Sequence, residues 1–404
     1  MKEGWEYKTL GECCRISDFV SNGSFASLKQ NVNYYYAKNY ALLVRLADNS
    51  NNFDESKFVY TDKHGYDFTS KSHLHGGEII MSNVGSVGSV FICPDLKIPM
   101  TLAPNTISID TEYNRFFYYL FISPSFSSIL SEIVTKTTLK KFNKTNFKKL
   151  IVRVPNSLDE QRRIVSYLDS SFKIIDEIKN KALKSLTEAK ALFQSALAEA
   201  MEPKEGWEEK TLGEICLIVG RIGFRGYTRK DIVTNKKDGA ITLSPSNIVN
   251  GNMCYNNCTY ISWFKYNESP EIKIQNGDIL IVKTGSSYGK SAFVENLPHK
   301  ATINPQFVVL KDIKINHKFL SYQLKTKKTY DYINSIVSGS AIPTFSQANL
   351  SKMLTGLPPL PTQNSIVSRL DKFSSKVRDI EEKYQKMVEE CDALKQAMLR
   401  DVFE

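Results

Sequence analysis

Two long stretches of the chain carry apolar residues at helical spacing. In the first, Ile164, Leu168, Phe172, Ile175, Ile178, Ala182, Leu186, Ala189, Phe193 and Ala196 recur every three or four positions, which lines one face of an α-helix. Ile366, Leu370, Val377, Ile380, Tyr384, Val388, Cys391, Leu394 and Met398 form a second such series. Each stretch runs roughly 40 residues without Pro or Gly, a rod of about 60 Å at about 1.5 Å per residue. A helix that long with an apolar stripe needs a partner. Packing each helix only on its own globular part would leave much of the stripe bare. The two are therefore expected to pair, Ile164, Leu168, Ile175 and Leu186 on one side, Ile366, Leu370, Val377 and Ile380 on the other.

The remaining apolar residues come in short runs bounded by turns. Gly77-Glu78-Ile79-Ile80 and Gly277-Asp278-Ile279-Leu280 each read as a turn leading into a buried strand. These two belong to a larger repeat. Residues 4–14, GWEYKTLGECC, and 206–216, GWEEKTLGEIC, share nine of eleven positions at an offset of 202. The correspondence fades through 18–75 and 220–275, then returns. Gly85 and Gly88 answer to Gly285 and Gly289, and Lys141-Phe142 to Thr344-Phe345. Gln161, Ile164, Val165, Leu168 and Asp169 answer to Gln363, Ile366, Val367, Leu370 and Asp371.

The chain thus reads as one unit written twice. A mixed α+β domain spans 1–157 and a long helix 158–201, ended by Pro203. A second mixed domain spans 202–357 and a second long helix 358–404. If the helices pair antiparallel, two related heads are carried at opposite ends of a rod, with an approximate two-fold axis inside one chain.

Composition narrows the class. The 404 residues are 42% hydrophobic and 24% charged, too apolar for a disordered chain. No apolar run approaches a membrane span, and the N-terminus lacks a signal-peptide layout, so the expected location is the cytoplasm. Seven cysteines include only half a zinc site, Cys254 and Cys258, and His73 with His75 lacks a third ligand nearby, so no metal is expected.

A net charge of +10 favours a polyanionic partner. Two heads at fixed separation suit DNA, where a rigid spacer sets half-site spacing. Similar frameworks with divergent stretches predict two different half-sites, hence an asymmetric target. Candidate DNA-binding residues are Lys136, Lys140, Lys141, Lys144 and Lys148 in the first unit. In the second they are Lys290, Lys325, Lys327 and Lys328, with Arg221, Arg225 and Arg229 in the glycine-rich GRIGFRGYTRKD loop. Arg grips guanine edges or phosphate, and glycines admit the backbone close to the duplex. Tyr34, Tyr35, Tyr36 and Tyr227 offer stacking surfaces. The plain alternative for each Lys is a solvated face.

Three motifs mimic catalysis without completing it. Asn304-Pro305-Gln306-Phe307 resembles the Asn-Pro-Pro-Phe of adenine methyltransferases, but Gln306 breaks it. Gly285-Ser286-Ser287-Tyr288-Gly289-Lys290-Ser291 is one residue short of a phosphate loop, and Ala292-Phe293-Val294 after it reads as strand. Pro94-Asp95-Leu96-Lys97 contains the letters of a nuclease site, but no acid-x-Lys is placed after it and the second repeat does not echo it. No catalytic residue and no cofactor is expected in this chain.

At the paired GWE-x-KTLGE starts, the Gly-Ser-Ala-Ile-Pro-Thr-Phe segment at 339–345 and PPLPTQNSIVSRLD at 358–371, the sequence resembles the type I restriction-modification specificity subunit family over essentially its whole length. PNSLDEQRRIVSYLD at 155–169 keeps the family's Glu160-Gln161 pair, which the second copy replaces with Thr362-Gln363. TTLKKF at 137–142 replaces the Ala-Ile-Pro-Thr-Phe form in the first copy. The resemblance implies two target recognition domains on double-stranded DNA, one half-site each. It implies helices that dock two S-adenosylmethionine-dependent modification (methyltransferase) subunits, and an ATP-driven restriction/translocase subunit joining for cleavage. The rival readings are a stand-alone protein-interaction scaffold without a specific DNA role, and the specificity portion of a single-chain restriction enzyme, against which the repeat closing at Glu404 speaks.

Overall fold

The computed structural model describes residues 4–135, 137–339 and 341–404. They form two compact units, Met1–Leu183 with Lys386–Glu404, and Lys184–Gln385. The division runs through both long helices, Leu158–Met201 and Leu360–Phe403, each 44 residues long. Each unit therefore holds the leading part of one long helix and the closing part of the other.

The first unit is built on a four-stranded antiparallel sheet ordered Arg15–Asp18, Thr106–Asp110, Ile79–Ser82, Val90–Ile92. A second sheet is ordered Tyr60–Thr61, Ala41–Val44, Met100–Leu102, His73–Leu74, and contains one parallel pair with Leu42 opposite Met100. The second unit repeats the plan. Its antiparallel sheet is ordered Leu217–Gly220, Phe307–Lys311, Ile279–Val282, Ser291–Phe293. Its other sheet, Ile232–Val233, Thr259–Ser262, Gly239–Leu243, Ala301–Ile303, again has one parallel pair, Ile241 opposite Ala301.

The unbroken apolar runs have a simple cause. Successive strand residues point to opposite faces, and in Ile79–Ser82 both faces are covered. Ile79 and Met81 enter one core while Ile80 enters another. In the second unit Ile279 and Ile281 separate in the same way from Leu280 and Val282.

The repeated start segment is a structural joint. Trp5–Thr9 pairs antiparallel with Ile151–Pro155, and Glu208–Thr211 with Leu354–Leu357, so each start clamps the strand that precedes a long helix. Thr9 donates its backbone N–H and its hydroxyl to Glu12 Oε2, both at 2.7 Å. Thr211 does the same to Glu214 at 2.6 Å. Thr-x-x-Glu is the capping-box signature. A Cβ on Gly11 would lie 3.2 Å from the Lys148 carbonyl, and one on Gly213 3.2 Å from Ser351; the shared glycine admits this close approach.

The long helices pack on each other within each unit. In the first, Leu399 and Phe403 join Ile164, Val165, Leu168 and Phe116 in one core. Lys179 pairs with Asp392 at 2.6 Å and Lys395 with Asp176 at 2.5 Å, a descending register that makes the pairing antiparallel. In the second, Leu197 and Met201 share a core with Val367, Leu370 and partly buried Ile366, and the Phe193 and Phe373 rings lie 5.9 Å apart. Ile175 and Val377 are buried and Leu186 is half-buried. Ile380 corrects the expected seam: it is 39% exposed. Small side chains, Ala182 and Cys391, are buried instead; a straight helix drifts about 20° per heptad, so one apolar stripe does not stay on one contact line. No helix among the described residues is long and apolar enough to cross a membrane.

Candidate nucleic-acid interface

The candidate cations separate into those held by the protein's own groups and those left to solvent. Arg221 is buried, not exposed on a reading loop. Its Nε and Nη2 donate to the Ile303 carbonyl at 3.1 and 3.0 Å, Nη2 also to Thr302 Oγ1, and Nη1 to the Arg225 carbonyl at 3.3 Å. The Tyr227 ring lies 5.3 Å below the guanidinium, and burial pulls its pKa down. Arg221 therefore ties its loop to the sheet. Lys144 is similarly engaged, donating to Asp18 at 2.9 Å and to Ser21. Arg225 pairs with Glu271 at 3.5 Å, and Lys327 with Asp331 one helical turn on, at 3.0 Å.

Lys325 is half-buried, with Nζ 5.9 Å from the Tyr322 ring centre. Burial pushes its pKa down to about 8, Glu295 and Asp371 opposing, Arg378 and Lys318 reinforcing. Lys140, Lys141, Lys148, Arg229, Lys290 and Lys328 are exposed, and among the described residues none of them enters an ion pair. Lys136 lies outside the described residues.

The structure brings some of these together on one local design, built once in each unit. The turn after Ile79–Ser82 places Gly85 and Gly88 at φ +80° and +84°, and the turn after Ile279–Val282 places Gly285 and Gly289 at +101° and +79°. Only glycine takes such angles at no steric cost. The Gly85 N–H donates to the Lys140 carbonyl at 2.9 Å, and the Gly285 N–H to the Pro343 carbonyl at 3.0 Å. Lys140 and Lys141 thus flank one turn, and Lys290 ends the other. The phosphate-loop resemblance dissolves here, because Lys290 leads into strand Ser291–Phe293. The Asn304-Pro305-Gln306 motif is a turn as well: Asn304 Oδ1 accepts the Gln306 N–H and Nδ2 donates to Gln306 Oε1, both at 3.0 Å.

The divergent stretches expose different chemistry. In the first unit Phe25 is 78% and Tyr36 85% exposed, and Tyr34 is exposed as well. Tyr35 is spoken for, its hydroxyl donating to Asp62 at 2.9 Å. In the second unit the exposed set includes Phe264, Arg229 and Lys230. Sequence reasoning missed Phe25 and Phe264. Phe25 opens a short helix, Phe25–Asn31, whose one buried residue is Leu28, a stretch too short for periodicity to separate the inner from the outer apolar side chain. His73 stacks on Tyr66 at 3.7 Å and its Nε2 meets the Tyr66 carbonyl at 2.8 Å. Among the described residues no group of three or more His, Cys, Asp or Glu is placed to hold a metal ion.

Comparison with known proteins gives a consistent picture. The family model described as the type I restriction modification DNA specificity domain matches twice, over residues 2–188 and 204–390. The type I restriction enzyme MjaIX specificity subunit of Methanocaldococcus jannaschii is 24% identical over 328 residues, covering 76% of this chain and 71% of that protein. Among solved structures, a chain from work on complex assembly and conformational transition of the type I R-M system aligns with a TM-score of 0.74 at 18% identity, over 100% of this chain and 98% of that one. The HsdS subunit from Thermoanaerobacter tengcongensis aligns with a TM-score of 0.51 at 18% identity, over 100% and 97%.

Proposed function

Because the chain belongs to the type I restriction modification DNA specificity family, with the family's domain present twice, we propose that it is the DNA-reading subunit of a type I restriction-modification complex, each unit reading one half of an asymmetric bipartite site. One observation carries this: a single framework, down to matched capping boxes and glycine turns, is built twice while the stretches at 18–75 and 220–275 expose different side chains. A shared frame with divergent reading surfaces is what two unlike half-sites require.

The solvated cations Lys140, Lys141, Lys148, Arg229, Lys290 and Lys328 engage phosphate and draw the protein onto DNA in a salt-dependent way. Lys327 can join them by exchanging Asp331 for phosphate, and Lys325 by gaining an anion beside a charge that burial disfavours. Side chains of the divergent stretches read base edges. The paired helices dock two modification subunits, which carry the adenine methyltransferase chemistry, and a restriction/translocase subunit completes a cytoplasmic complex. This chain contributes no catalytic residue and no cofactor.

The test is co-expression with a modification subunit of its own system, followed by mapping of methylated adenines across the host DNA. The expected result is a bipartite asymmetric motif that vanishes when this chain is omitted. A stable complex with no change in methylation would mark an inactive or incomplete system, whereas no complex at all, or DNA binding that is weak and indifferent to salt, would favour a protein-interaction scaffold instead.

A further inference from the structure

Leu139 and Ile342 occupy equivalent places in the two units, and both stand out in solvent, at 59% and 63% exposure. Neither is on a loose strand of chain. In the first unit the residue after Leu139 gives its carbonyl to Gly85, Lys141 bridges Val84, and the Thr135 N–H donates to the Lys141 carbonyl at 2.9 Å. Phe142 then donates its N–H to the Asn83 carbonyl at 3.1 Å and buries its ring. In the second unit the residue after Ile342 gives its carbonyl to Gly285, Thr344 bridges Thr284, and the Ser338 N–H donates to the Thr344 carbonyl at 2.8 Å. Phe345 donates to the Lys283 carbonyl at 3.2 Å and is likewise buried.

The two loops have different sequences, yet both present an exposed aliphatic residue next to backbone bonded to the glycine turn. Single exposed aliphatics are common on protein surfaces; what distinguishes these two is that they recur beside the same glycine turn in both units, next to cations without ion pairs among the described residues. What the repeats share on their surface should meet something common to both their targets. Base sequence differs between half-sites, whereas the duplex itself does not. Charge identifies the duplex as the occupant: Lys140 and Lys141 follow Leu139, and Lys283 and Lys290 border the turn beside Ile342, and none of the four enters an ion pair among the described residues.

We propose that Leu139 and Ile342 are wedges, one per unit, that enter a DNA groove and lever apart a base step in each half-site while the neighbouring lysines hold phosphate. Aliphatic wedges of this kind partly unstack a step and act without reading its sequence. The proposal rests on the DNA-reading assignment above and adds a sequence-tolerant contact to it.

The experiment uses the full chain in complex with its modification subunits and duplexes carrying 2-aminopurine at successive positions of the mapped half-sites, the methylated adenine excepted. With the unsubstituted complex, fluorescence should rise at one step in each half-site. Leu139→Ser should abolish the rise in the first unit's half-site alone and Ile342→Ser in the other alone. Each should weaken cognate and non-cognate DNA about equally, on the order of tenfold, leaving the methylated motif unchanged; Leu139→Met should restore both signal and affinity. Unchanged fluorescence and affinity in both Ser variants would overturn the wedge while the motif map left the reading assignment standing. Loss of the modification subunits from the Ser variants, with DNA signals intact, would overturn it in favour of a protein contact.

Discussion

The Tyr119 hydroxyl donates to Asp169 at 2.5 Å, tying a helix of the first head to the first long helix. Arg115 grips the same carboxylate at 2.6 and 2.9 Å. The second unit repeats the tie, Tyr322 to Asp371 at 2.6 Å, with Lys318 in place of the arginine at 3.4 Å. A hydrogen bond to a charged partner contributes roughly 1.5–3 kcal/mol net. The tie with a distant lysine leans more on its tyrosine. Tyr322→Phe should therefore destabilise its unit more than Tyr119→Phe does, both within about 1–3 kcal/mol, as read by urea unfolding. Burial first, and the aspartate bond second, raise both phenols. A raised folded pKa means stability is fully present below the unfolded phenol pKa and falls as pH climbs through the folded one, so both Phe variants should flatten the alkaline loss.

Two kinds of cation make opposite predictions. Lys140→Ala and Lys141→Ala should leave thermal stability unchanged but reduce the slope of log affinity against log salt by roughly one each. Arg221→Ala should do the reverse. It strips a buried carbonyl of its donors and should cost several degrees of melting temperature in the second unit, with an unaltered salt slope wherever the protein remains folded. A slope that falls in Arg221→Ala with stability intact would return this residue to the DNA surface.

Distance along the chain decides what was legible. The capping boxes span three residues and the long helices declare themselves every three or four, so both could be read directly, as could the doubled framework. Which cations are free could not. Lys144 finds Asp18 across 126 positions and Arg221 finds Ile303 across 82, and nothing local announces either partner. Leu139 was hidden for the converse reason: in TTLKKF an isolated leucine reads as core. The compact units were obscured because each takes the end of a helix whose beginning belongs to the other.

Lys325 gives a pH signature. Burial disfavours its charge and lowers its pKa to about 8, against an ordinary lysine value near 10.4. Between these values the unfolded chain keeps the proton and the folded unit does not, so stability should rise with pH through that window. At neutral pH the folded protein carries the cost of the charge. Lys325→Met should raise the melting temperature of the second unit at pH 7 by a few degrees, roughly 2–4 °C per kcal/mol recovered, and remove its share of the rise between pH 8 and 10. A melting temperature that falls at pH 7 would show that the ammonium is held by compensating contacts.

Phe403, one residue from the end of the chain, belongs to the core of the first unit, its ring 5.6 Å from Phe116 and 6.4 Å from Trp5. Removing a buried phenylalanine side chain costs about 3–5 kcal/mol. Phe403→Ala should therefore weaken the unit that contains the N-terminus while leaving the unit in which residue 385 sits near its own melting temperature. Tryptophan fluorescence separates the two, since Trp5 reports the first unit and Trp207 and Trp263 the second. In a Trp207→Phe, Trp263→Phe background the Trp5 transition should fall by many degrees; with Trp5→Phe and the other two retained, Phe403→Ala should shift it little. The functional counterpart follows from the assignment of one half-site to each unit. At a temperature between the two transitions the variant should lose discrimination in the half-site read by the first unit and keep it in the other, as seen in methylation of duplexes substituted in one half at a time. Equal loss in both halves would mean that the two units unfold together, and the terminal helix would then stabilise the whole chain as one cooperative body.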